Sequence, residues 1–252
     1  MLKGFMCGTN TCLLKFLLFC SLYVNIAGAQ ALSNDPQKNS LNLSYPVRLY
    51  YNAIGENAHI YNGYEYMTPD RNTRGTPYFA SDAPYPANLL YDESYYQNLP
   101  ILYDQVRDLV VINRLDQNFK ISLISQKLVS FSFHGHDFIR ITRDSSRGVE
   151  LATGFYDRVY AGKSTVLVRR KKFVQDMVEY TVTILSYKEQ YSYYVKFEGK
   201  YREVNNKSSV LNLFKSRKSE IKSYLRKNKL KFKSDFEKTL ITTSAYYDQL
   251  TS

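Results

Sequence analysis

His134 and His136 stand two apart, and in a strand residues two apart project from one side, so the pair has the spacing of two imidazole ligands to a metal ion. Gly135 between them favours a tight turn, and the third histidine, His59, is far away in sequence. A polar hairpin tip is the competing reading, and no metal site is expected. Asp92, Glu93, Asp104 and Asp108 could supply paired carboxylates for acid and base work on a glycosidic bond. Asp92 and Asp104 each follow an apolar triplet, however, where a carboxylate that bonds nearby backbone ends a strand in a turn. Gly162-Lys163-Ser164 resembles the close of a phosphate-binding loop, but Asp157 occupies the position of the required earlier glycine. Neither a Gly-x-Ser-x-Gly elbow nor a dinucleotide fingerprint occurs, and no cofactor is called for.

Among the 24 tyrosines, Tyr61, Tyr64, Tyr66, Tyr78, Tyr85, Tyr95 and Tyr96 crowd around a proline-rich stretch and form the candidate partner-binding surface. The absence of Trp weakens a sugar-binding reading, and tyrosine also suits strands for reasons of packing alone.

These residues need elements to hold them, and the central stretch from Leu89 to Thr142 reads as consecutive strands. Leu109-Val110-Val111-Ile112 is a short unbroken apolar run, as in a strand covered on both faces. Phe119, Ile121 and Leu123 alternate with polar residues, as do Val129, Phe131 and Phe133, which predicts half-buried strands. His134-Gly135-His136-Asp137 is then a hairpin tip.

All seven prolines lie between Pro36 and Pro100, so irregular structure is expected before residue 100 and regular structure after it. Pro46 to Tyr51 and Ala58 to Tyr61 can be strands, and a long loop is expected from Thr68 to Asn88, broken by Pro84 and Pro86 among others. Phe155 to Tyr160 reads as helix or turn. Thr165 to Val168, Val178 to Leu185 and Tyr191 to Phe197 read as strands, with Glu198-Gly199-Lys200 as a hairpin. From Lys207 the period changes to about 3.6: Val210, Phe214, Ile221 and Leu225 share one helical face, and Phe236, Leu240, Tyr247 and Leu250 share another. Ser234 with Glu237 forms the expected capping box of the last helix.

Residues 207 to 238 carry eleven Lys or Arg against three acids, a net of +8 out of +11 for the chain. Such a cluster either keeps a helical face solvated or attracts an anionic partner. No nucleic-acid readout motif accompanies it, and nucleic acid is not an expected partner.

At the other end, Lys3 and Lys15 flank or interrupt an apolar run to Ile26 that leads into Ala27-Gly28-Ala29, the pattern of a secretory signal cut before Gln30. The run after Lys15 falls short of the roughly 20 apolar residues of a membrane span. Cys7, Cys12 and Cys20 all lie in this segment, so a mature chain would hold neither disulfide nor thiolate site. The expected organisation is a signal peptide over 1–29, a disordered lead over 30–44, a β-rich domain over 45–206 and C-terminal helices packed on it over 207–252.

Tyr61-Asn62-Gly63-Tyr64-Glu65-Tyr66, Gly75-Thr76-Pro77-Tyr78-Phe79, Leu102-Tyr103-Asp104 and Leu225-Arg226-Lys227-Asn228-Lys229-Leu230, with the closing Tyr246-Tyr247-Asp248, make the chain resemble uncharacterised exported proteins of Bacteroidota-type bacteria. The resemblance implies a periplasmic or secreted setting and brings no activity or site residue with it. The fold class expected is α+β, a mainly antiparallel sheet followed by a basic helical segment. The function expected is non-enzymatic binding of an envelope protein or surface polymer. The alternatives are a carbohydrate-active hydrolase using paired carboxylates and a binder of anionic surface polymers through the basic helices.

Overall fold

The structure, a computed structural model, describes residues 59–69, 73–114, 119–144, 151–179 and 182–251. These residues belong to the compact unit Ile54–Ser252. The expected signal peptide, the three cysteines, the lead over 30–44 and the strand over 46–51 lie outside the described residues.

Among the described residues eleven strands form one sheet. In chain order they are β1 (Tyr64–Glu65), β2 (Tyr85–Tyr91), β3 (Ser94–Asp104), β4 (Leu109–Asn113), β5 (Lys120–Ser122), β6 (Leu128–Phe133), β7 (His136–Ile141), β8 (Gly154–Ala161), β9 (Thr165–Glu179), β10 (Val182–Phe197) and β11 (Lys200–Val204). Their order in space is β1-β5-β4-β3-β2-β6-β7-β8-β9-β10-β11, and every neighbouring pair is antiparallel. Two meanders therefore meet at the β2–β6 pair. The link between β5 and β6 runs past the strands between them: Leu123 donates its amide to Val110 O, and Lys127 O accepts from the Asp92 amide.

β4 is buried at Val110, Val111 and Ile112, as an uninterrupted apolar run on a doubly covered strand should be. Tyr103, Phe131, Phe138 and Phe155 pack their rings together, with Phe131 and Phe138 stacked at 4.9 Å. The alternation expected for β6 fails at one end: Val129 is 54% exposed and Leu128 1%. A bulge lies between Leu90 and Tyr91, whose partners are Ser130 and Leu128, and the extra residue turns Val129 outward.

Four other expectations are corrected. Pro86 lies inside β2, directly opposite Pro100 of β3, at ends of these strands where neither β6 nor β4 pairs with them, so no ladder bond is lost. Of the strand expected over Ala58 to Tyr61, His59–Tyr61 is a short 3-10 turn, and Ala58 lies outside the described residues. Phe155 to Tyr160 belongs to β8, buried at Phe155, Tyr156 and Asp157 between β7 and β9. Thr165 to Glu179 is one strand of 15 residues that runs straight through the basic segment Arg169-Arg170-Lys171-Lys172. Ion pairs hold Arg169, Arg170 and Lys172, the rings of Tyr156 and Tyr191 lie against the two arginines, and Lys171 is exposed.

Three helices follow, α1 (Lys207–Leu213), α2 (Lys218–Lys227) and α3 (Phe236–Leu250), with a 3-10 turn at Lys215–Arg217. Asn206 accepts from the Ser209 amide while Ser209 Oγ accepts from the Asn206 amide, a capping box at the start of α1. α3 is capped by Asp235, which accepts from the Lys238 amide at 2.9 Å, so the cap lies one residue beyond the expected Ser234. Glu237 is thereby released for another partner. Val210, Phe214, Ile221, Leu225, Leu240 and Tyr247 bury their helical faces against Val166, Val195 and Val204 of the sheet. No helix among the described residues is long and apolar enough to cross a membrane.

Candidate functional site

The sheet separates the seven tyrosines. Tyr66, Tyr78 and Tyr96 are buried, Tyr61 and Tyr85 half-buried, and Tyr64 and Tyr95 exposed. Tyr66 donates to Asp104 Oδ2 at 2.7 Å, and Tyr96 sets its ring against Tyr91. Of the seven, only Tyr64 and Tyr95 lie open to solvent, and Tyr66, Tyr78 and Tyr96 are turned into the core. Successive strand residues project to opposite faces, which is why Tyr95 and Tyr96 part company.

The carboxylates weighed for hydrolysis hold turns and strands. Asp92, in the β2–β3 turn, accepts from Lys127 Nζ at 2.8 Å, and that charge keeps its carboxyl below the usual range. Asp104 accepts from the Val106 and Arg107 amides at 2.8 and 3.0 Å. Asp108 accepts from Tyr103 Oη at 2.7 Å and the Phe155 amide at 3.2 Å.

His134 and Gly135, both at positive φ, form the two-residue turn between β6 and β7. His134 packs against Tyr85 while His136, already in β7, packs against Phe79, so the two imidazoles have different surroundings. His136 Nδ1 donates to Asp157 Oδ2 at 2.6 Å, since a carboxylate only accepts. Arg170 donates from Nε to the same oxygen at 2.7 Å and from its other arm to Glu237 of α3 at 2.7 Å. This buried chain ties the middle of the sheet to the last helix. Among the described residues no group of three His, Cys, Asp or Glu side chains could hold a metal ion.

Gly162-Lys163-Ser164 turns β8 into β9, and its amide side is occupied from within the chain. Asp248 of α3 accepts from the Ser164 amide at 2.9 Å and from Tyr160 Oη at 3.0 Å.

A feature that the periodicity did not single out is the distal part of the β9–β10 hairpin. β8 pairs with β9 only as far as Val168, and β11 pairs with β10 only from Tyr193, so the stretch between is a two-stranded ribbon. Its base is anchored on one side: Arg74 donates its amide to Leu185 O at 2.8 Å and accepts from the Tyr187 amide at 3.0 Å. Lys172, its ammonium pushed down by burial, donates to Tyr78 O at 2.7 Å and Thr76 O at 3.1 Å. At this anchored level the ribbon exposes Phe173 (43%), Val174 (45%) and Leu185 (40%), and beyond it Val178 (77%). Register places Phe173 on one face and Val174, Val178 and Leu185 on the other. The adjacent apolar pairs Phe173-Val174 and Met177-Val178 were the available signal, since strict alternation would make one of each pair polar.

Comparison of the chain with protein-family profiles, with curated proteins and with solved structures returns no match.

Proposed function

We propose that the chain is an exported, non-enzymatic binding module of the envelope or the secreted space, and that the β9–β10 ribbon is its contact element. The single observation that supports this reading is the exposure of Phe173, Val174, Val178 and Leu185 on two faces of a projecting ribbon, since several large apolar side chains left exposed on one element mark an interaction site. A flat partner would cover one face and leave the other wet. The occupant that suits both faces is a cleft in another protein. Exposed Asp176 between these residues disfavours insertion into a bilayer, where a carboxylate would lose its hydration. Export rests on the pattern over residues 1–29 and on the resemblance to exported proteins. Tyr64 and Tyr95 are the accessible remainder of the tyrosine surface and lie on β1 and β3, away from the ribbon in the sheet order.

The test is photo-crosslinking in the native cells from an amino acid placed at Val178, with mass spectrometry of the adduct and of the bait's N-terminus. We expect a chain beginning at Gln30 and one reproducible envelope protein, lost in a Phe173→Ser, Val178→Ser, Leu185→Ser variant and kept in Tyr64→Ser, Tyr95→Ser. Retention by the ribbon variant with loss in the tyrosine variant would move the contact to the tyrosines. An uncut N-terminus would remove the exported setting.

A further inference from the structure

The basic C-terminal segment surrounds an apolar cavity, independent of the ribbon. β11 leads through Asn205 and Asn206 into α1, and on the other side the connector from α2 to α3 crosses the same place. α2 ends in a reversal at Lys229, whose φ is 54°, and the Leu230 amide reaches back to Leu225 O at 3.0 Å. Leu230 is thereby turned over Leu225. The next turn is fixed as well: Lys231 O accepts from the Ser234 and Asp235 amides at 3.1 and 3.2 Å and from Ser234 Oγ at 2.9 Å. Phe232 packs on Phe236 at 5.5 Å, and Phe236 packs on Tyr193 of the sheet at 4.8 Å.

Leu225, Leu230, Phe232 and Phe236 floor a cavity of about 570 Å³, a size usual for small-molecule sites. Lys207, Lys231 and Lys233 stand at its rim, and the rest of the lining is uncharged: Asn205, Asn206 and Ser208. No carboxylate lines it. All three lysines are exposed, and among the described residues none makes an ion pair. Three unpaired ammonium groups around an apolar floor complement a molecule with an apolar body and one anionic end.

We propose that this cavity binds a single-chain anionic amphiphile of the fatty-acid class, the chain lying on Leu225, Leu230, Phe232 and Phe236 and the carboxylate among Lys207, Lys231 and Lys233. A purely anionic polymer would leave the floor unused. A neutral apolar molecule would leave the lysines unused.

Isothermal titration of the full chain with monomeric dodecanoate tests this, against dodecyl maltoside for the chain alone and inorganic phosphate for charge alone. Dodecanoate should bind at least about tenfold more tightly than either, and the difference should shrink with added salt. Lys207→Gln, Lys231→Gln, Lys233→Gln together should weaken dodecanoate about tenfold, the sum of three modest charge contacts. Lys215→Gln, Lys222→Gln, Lys227→Gln together, with the same change of net charge, should alter it less than about twofold. Leu230→Asp should abolish binding with the circular dichroism unchanged. Equal binding of dodecanoate and dodecyl maltoside, absence of dodecanoate binding, or equal losses in the two lysine variants would each overturn the proposal. So would adsorption to phosphatidylglycerol vesicles without uptake of monomeric dodecanoate, which would assign the lysines to a membrane surface.

Discussion

At Gly154 the backbone has a φ of +153°, and a side chain there would meet the Asp108 carboxylate and the Arg169 guanidinium. Asp108 is held by Tyr103, by the Phe155 amide and by Arg169 at 3.6 Å, so it has little room to move. Gly154→Ala is expected to destabilise the protein by roughly 2 kcal/mol, combining a strained backbone with a steric clash. The shift of the urea midpoint at constant slope measures it, and an unchanged midpoint would refute the crowding. Asp157 is the more consequential residue. Its side chain is 1% exposed and accepts from both His136 and Arg170, so Asp157→Ala leaves a buried guanidinium with Glu237 as its one carboxylate partner. The expected cost is roughly 3 kcal/mol, the scale of breaking a buried ion pair. Neither role was legible in the sequence: Asp157 stood out there only as the residue that spoils a phosphate loop.

Helix ends carry the clearest predictions at the next scale. Asn206 and Ser209 satisfy each other's backbone amides at the start of α1, and Asn206→Ala should cost about 1 kcal/mol. Lys229 occupies the left-handed conformation that closes α2, where a side chain is strained and glycine is not. Lys229→Gly should therefore stabilise by about 0.5–1 kcal/mol in the same denaturation experiment, and a loss of stability would show that the lysine stem packs usefully. The helical faces could be read in advance because Val210, Phe214, Ile221 and Leu225 recur at the helical period. Caps could be placed only to within a residue. Ser234 and Asp235 are both good caps, and Glu237 was free to serve Ser234 until Arg170 is seen to take it. For β9, four consecutive basic residues obscured a strand because the partners of Arg169, Arg170 and Lys172, namely Asp108, Asp157, Glu237 and Glu189, are far from them in sequence or on another strand.

Burial of so many tyrosines gives the molecule a direction of pH sensitivity. Burial raises the phenols of Tyr66, Tyr78, Tyr91, Tyr103 and Tyr156 above their ordinary 10.0. Tyr191 is pushed up to about 12 by burial, with Glu189 adding to it. The unfolded chain releases these protons near pH 10 while the folded chain keeps them, so above that pH the folded state binds more protons. The stability they contribute is complete below about pH 10 and is lost as the pH rises through the raised folded values. Cooperative loss of circular dichroism together with a late, steep second part of the rise in tyrosinate absorbance, contributed by the buried rings, is the expected result. The whole tyrosinate amplitude appearing near pH 10 with the fold intact would show that these five rings are not buried as described.

Sequence alone determined that the chain is a run of antiparallel strands followed by amphipathic helices, because periods of two and of 3.6 are local properties of neighbouring residues. It determined the His134-Gly135 and Glu198-Gly199 turns for the same reason, since a two-residue turn is specified by the residues in it. Only the tertiary structure decided which faces stay wet. Tyr66 and Tyr64 are two apart in one strand-like stretch, yet one reaches Asp104 across the sheet and the other meets no cover. Phe173 and Val178 are large apolar residues that stand exposed, because β8 and β11 pair with the hairpin only near the sheet. Lys207, Lys231 and Lys233 become neighbours around one cavity when α1 and the connector after α2 meet, and no spacing along the chain could have placed them there.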